Sequence, residues 1–173
     1  QLSKLSNFIP DGGIWLNTQR PEWNDANNAL VGYGVSMVTL YYLNRHISFI
    51  NNILTDVNET EFEISNEVLA WFKDTKQTYE KYSPTINEKL DAVKRKTFVQ
   101  ALQKLFSNYR QKTYNKSSSG QNKIKVIDII NFNNLVLAHF ENSINNNYIQ
   151  SLYSAYNTIN IDNSDKINVT SLY

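Results

Sequence analysis

The spacing of apolar positions predicts four long helices and a shorter fifth. The first is expected from about Asp25 to Leu54, with Asn24 or Asp25 as its N-cap. From Ala29 through Leu43 its apolar residues cover nearly the whole circumference. Such a helix is normally buried on all sides. A lone chain of four or five helices can barely surround it, so the pattern points to a larger parent structure. Asp56 to Glu63 is polar and breaks the pattern. A second helix is expected over Ser65–Tyr82, with Val68, Leu69, Phe72, Thr75 and Tyr79 on one face. Pro84 suits the first turn of a third, Pro84–Tyr114. The apolar stripe of that helix includes Phe98, Leu102 and Leu105. Its other face carries Lys89, Lys94, Arg95, Lys96 and Lys104, with Glu88 and Asp91 interspersed, and reads as solvated.

Residues 115–123, rich in Asn, Ser and Lys, predict an exposed loop. A fourth helix follows over Lys125–Asn142 and a short fifth over Tyr148–Asn157. The tail from Thr158 to Tyr173 alternates weakly and reads as a strand or an extended loop. The sum is an all-α fold: a single helical domain or fragment over 1–173, opened by a loop-rich segment, 1–24. Its helices are expected to form antiparallel hairpins, one with two and three with four.

Composition narrows the partners. The net charge of +1 balances 17 basic against 16 acidic residues. That leaves no field to attract nucleic acid or an anionic membrane. No apolar run is long enough to span a bilayer. Without cysteine there is no disulfide framework and no thiolate zinc site. His46 and His139 lie far apart on apolar helices and read as packed or partly exposed side chains, so neither a metal nor another cofactor is expected. Gln1 in place of an initiator methionine suggests a chain processed or cut from something larger.

Candidate chemistry concentrates between Gly12 and Gly34, which holds four of the five glycines and two of the three tryptophans. Asp11, Glu22 and Asp25 supply carboxylates nearby. Trp15 and Trp23 could stack on the apolar face of a sugar; Arg20, Asn17, Asn24, Asn27 and Asn28 could bond its hydroxyls. Cleaving a glycosidic bond needs a positioned proton donor for the leaving oxygen and a second group to activate or deliver the nucleophile. Asp25 as a simple helix cap explains the same residues without chemistry. Gly32-x-Gly34 lacks a dinucleotide fingerprint and reads as a site of close helix–helix approach.

The run Trp23–Gly32, its continuation Gly34–Leu43, and the tail segments Tyr153–Asn157 and Ser171–Tyr173 resemble large bacterial proteins common in Bacteroidetes-type organisms, of the cellobiose-phosphorylase-like kind. The Trp23-Asn24-Asp25 core resembles the loop that carries the general acid in six-hairpin glycosidases and glycoside phosphorylases. That loop usually has Asp and Gly where Glu22 and Ala26 stand. The resemblance implies a fragment of an α/α toroid, with the first helix on its inner ring and a carbohydrate ligand. Asp25 would be the proton donor, with Glu22 beside it. Trp15, Arg20, Trp23, Asn24 and Asn27 would form one wall of the sugar site. Such a fragment of a glycoside hydrolase or phosphorylase-like protein would be inactive without the remainder of its parent chain. The alternative is a non-catalytic helical module that binds a glycan or a protein.

Overall fold

A computed structural model of the chain describes residues 1–17, 28–83, 88–115, 119–161 and 165–172. It overturns the all-α expectation. The protein is mixed α/β, 57% helical and 20% strand, and its largest sheet is a curled five-stranded antiparallel half-barrel. That sheet leaves no place for a purely helical bundle or an α/α toroid.

Of the opening segment, residues 1–17 are described. They hold a one-turn helix α1 (Leu2–Leu5) and the strands β1 (Phe8–Ile9) and β2 (Gly13–Trp15). Next comes β3 (Gly34–Ser36), and only then the long helix α2 (Met37–Asp56). Asp25 lies outside the described residues; Asn28 and Ala29 are helical ahead of β3, and the long helix itself begins at Met37. Ser36 caps it, its Oγ accepting from Thr39 N at 3.0 Å, and the N–H groups of Met37 and Val38 both donate to Ala155 O. The apolar positions from Val35 to Leu43 keep to no single helical face because they cross from strand into helix. Of these, Val35, Met37 and Leu40 are fully buried by both elements.

Strand β4 (Glu61–Ser65) feeds α3 (Asn66–Lys81), and β5 (Gln121–Lys125) feeds α5 (Val126–Asn146). The two strands pair antiparallel from Glu61↔Lys125 to Ser65↔Gln121, so part of the expected 115–123 loop is strand. Helix α4 (Ala92–Tyr114) begins eight residues after Pro84, where Asp91 accepts from Val93 N and Lys94 N. Ser65 caps α3 in the same way through Val68 N.

The helices do not pair in chain order. α2 packs on α5, and α3 packs on α4. Asn51 bonds both Asn133 and Asn134 across the first pair. Trp71 stacks on Tyr109, with ring centroids 4.3 Å apart, across the second. Phe8 sits at the centre of the core, against Tyr79, Phe98, His139 and Phe140.

The expected fifth helix is instead a hairpin, β6 (Tyr148–Ile149) with β7 (Leu152–Tyr153), followed by β8 (Tyr156–Asn160). Gln150 and Ser151 both take positive φ, 51° and 67°, the backbone of a tight two-residue hairpin turn. β9 (Asn168–Ser171) realises the extended tail. The large sheet runs β1-β2-β3-β8-β9. No helix among the described residues is long and apolar enough to cross a membrane.

The glycines serve turns and strands rather than helix packing. Gly34 lies in β3, where a Cβ would meet Leu30 O at 2.7 Å. Gly13 has φ +123°, and a Cβ there would stand 2.8 Å from the Ser36 carbonyl. Gly13→Ala is expected to cost about 1–3 kcal/mol from the backbone conformation alone, with the collision against β3 added. Urea denaturation followed by circular dichroism measures it. An unchanged midpoint would refute this account of the β1–β2 turn.

Candidate functional site

Of the residues expected to line a sugar site, Trp15 lies within the described structure. It is half-buried at the end of β2, and its indole N–H donates to Gly32 O at 3.0 Å. Its neighbour Asn17 donates to Asn7 Oδ1 at 2.9 Å. Asn7 also accepts from Gln103, which donates to Ser6 O as well. Trp15 and Asn17 thus tie β2 to its surroundings. Arg20, Glu22, Trp23, Asn24, Asp25 and Asn27 lie outside the described residues. The mixed fold removes the toroid that was to place Asp25 at the mouth of a central pocket.

Three segments that carried the family resemblance do come together. β3 pairs with β8 through Gly34↔Thr158, Val35↔Asn157 and Ser36↔Tyr156. Tyr41 Oη donates to Ser154 O at 2.8 Å. The hydroxyls of Ser154 and Ser171 lie 3.2 Å apart. Their union is a sheet and a helix start, with backbone pairing as its main content.

The strongest polar constellation among the described residues centres on Asp11. Asp11, 5% exposed, sits at φ 61° between β1 and β2. Asp is one of the few side chains that tolerate this left-handed conformation. Its Oδ2 accepts from Arg95 Nη2 and from Leu90 N, both at 2.8 Å, and its Oδ1 accepts from Asn146 at 2.8 Å. Arg95, 6% exposed, also donates to the carbonyls of Pro10, Ile167 and Leu90. Asn147 and Asn157 extend the network to Asp11 O and Gly12 O. This cluster joins the β1–β2 turn, the segment before α4, the C-terminal end of α5 and the tail. Every oxygen of the Asp11 carboxylate is engaged, so the group is a clamp rather than an acid poised for proton transfer.

Beside the clamp opens a cavity of about 550 Å³. Its lining includes Asp11, His139, Asn142 and Ser143, together with Lys81, Tyr82, Glu88, Lys89, Asp91 and Lys94. His139 is 4% exposed, and its Nε2 lies 3.1 Å from Tyr79 O. A carbonyl can only accept, so Nε2 carries the proton and Nδ1 keeps its lone pair. Burial pulls its pKa down to about 4, against a smaller upward effect of the bond to Tyr79, so the imidazole is neutral at physiological pH. Three lysines share the lining with Glu88 and Asp91, while Asp11 is neutralised by Arg95. Among the described residues no cluster of His, Asp or Glu could hold a metal ion.

Arg95 and Asp11 escaped the sequence reading as a pair. One signal was present: Arg95 lies three residues before Phe98 and seven before Leu102, which places it on the buried face of its helix rather than the solvated one. No family model matches the chain, and no curated protein matches it.

Proposed function

We propose that the chain is a non-catalytic binding module for an uncharged, hydroxyl-rich ligand held in the cavity beside His139. The observation that carries this reading is a neutral, buried imidazole with one acceptor nitrogen, lining a cavity of about 550 Å³ with both polar and apolar walls. Ser143 and Asn142 add short polar groups next to it, and Tyr82 adds an aromatic surface. The balance of lysines against carboxylates gives the cavity no strong preference for an anion or a cation. That mixture of donors and acceptors suits a ligand that offers both at each position, as a saccharide or a linear polyol does. Two of the three lining carboxylates support a binding role over a catalytic one: Asp11 is fully bonded within the clamp, and Asp91 accepts from the first turn of α4.

Titration of the labelled chain with mono- and disaccharides and with linear polyols, followed by NMR of the imidazole rings, tests the proposal. A saturable shift of the His139 signals is expected with one ligand class. The exposed His46 should stay still and serves as an internal control. Lys89→Ala should weaken that titration without lowering stability, because Lys89 is exposed. Absence of any His139 shift at millimolar ligand would end the reading.

A further inference from the structure

We propose that the outer face of α2 pairs two copies of this chain in an antiparallel, two-fold arrangement. The apolar circumference of this helix is only half used within the chain. Met37, Leu40, Leu43 and Ile47 face the core, whereas Tyr42, Phe49 and Ile53 are 70%, 60% and 43% exposed. At about 100° per residue these three project within a narrow arc, one straight row roughly 16 Å long. Large apolar side chains in a contiguous exposed row mark an interaction surface.

The charges along the row select the occupant. Arg45 and Asp56 are exposed on the same flank of the row, and neither has a salt-bridge partner among the described residues. Phe49 is the midpoint: Tyr42 stands seven residues before it and Asp56 seven after, Arg45 four before and Ile53 four after. A two-fold axis beside Phe49 sets each Phe49 against its copy. It brings Tyr42 and Arg45 of one copy against Asp56 and Ile53 of the other, and both charge pairs fall on one side of the interface. A parallel pairing would instead put the Arg45–Asp56 flank of each copy on opposite sides of the interface, so that no such charge pair could form. The antiparallel interface is self-complementary, as a two-fold contact must be. The net charge of +1 offers little repulsion between copies.

Sedimentation velocity of the chain over roughly two decades of concentration is the test. A concentration-dependent dimer is expected. Phe49→Glu should abolish it while leaving the circular dichroism spectrum unchanged, since Phe49 is exposed. Arg45→Glu and Asp56→Arg should each weaken the dimer about tenfold. Mixing these two variants should restore association, because each supplies the charge that the other now needs. A monomer at every concentration would overturn the proposal. So would a dimer indifferent to all three substitutions, or a mixture that associates no better than its components.

Discussion

Arg95→Met is expected to cost about 3–5 kcal/mol, the usual penalty for breaking a buried ion pair by removing one partner. The substitution keeps much of the side-chain volume but leaves the Asp11 carboxylate buried without its counter-charge. It also strips the donor from the carbonyls of Pro10, Ile167 and Leu90. The loss should appear in urea denaturation as a large fall in midpoint. Adding Asp11→Asn to Arg95→Met should recover part of it. Asn tolerates the positive φ of that position and carries no charge to strand. A fall in stability below about 1 kcal/mol for Arg95→Met would show that the clamp is peripheral.

Stability should also fall steeply with acid through His139. In the folded protein its pKa is lowered to about 4, from an ordinary value of 6.5. Below pH 6.5 the unfolded chain takes up a proton that the folded chain refuses. The unfolded state then binds more protons, and stability drops as pH falls. The loss accumulates between about pH 6.5 and 4 and levels off below, amounting to roughly 3 kcal/mol in all. The imidazole has little to rescue its charged form: its ring lies among Phe8, Tyr79 and Phe98. Of the charged groups lining the same cavity, the lysines oppose protonation and the carboxylates of Glu88 and Asp91 favour it. Unfolding free energies measured across this range for the wild type and for His139→Gln check the effect. The variant should show a shallower slope. Equal slopes would mean that other groups carry the acid sensitivity.

The two predictions meet in one region, where the β1–β2 turn, the start of α4 and the end of α5 converge. Little of that region was legible in the sequence. Asp11 read as one carboxylate in a polar loop, and Arg95 as one cation on a solvated face. Their partnership joins residues 84 positions apart, and no local pattern encodes a pair so distant. The cavity is no more legible, since its lining comes from the β1–β2 turn, α3, α4, α5 and the segment between α3 and α4. Trp15 read as a ring that could stack on a sugar. Its bond to Gly32 gives it a structural task in holding β2 against the chain that returns to β3.

The sequence by itself determined α3, α5 and the C-terminal ends of α2 and α4 within a few residues. The stripe Leu69, Phe72, Thr75 and Tyr79 marked the buried face of α3, and Ser65 before it supplied the cap. The body of α5 and the C-terminal end of α4 followed from the same 3.6-residue period. These features are local: a helix bonds to itself, and its cap lies within one turn. Only the tertiary structure decided the sheet. β1, β2 and β3 are two or three residues long, too short to show an alternation. Val35 is a strand residue because Asn157 pairs with it from the far end of the chain. An apolar run that reads as helix from within becomes strand once distant backbone offers its hydrogen bonds, and that choice also decided where the helices pack and which charges are buried.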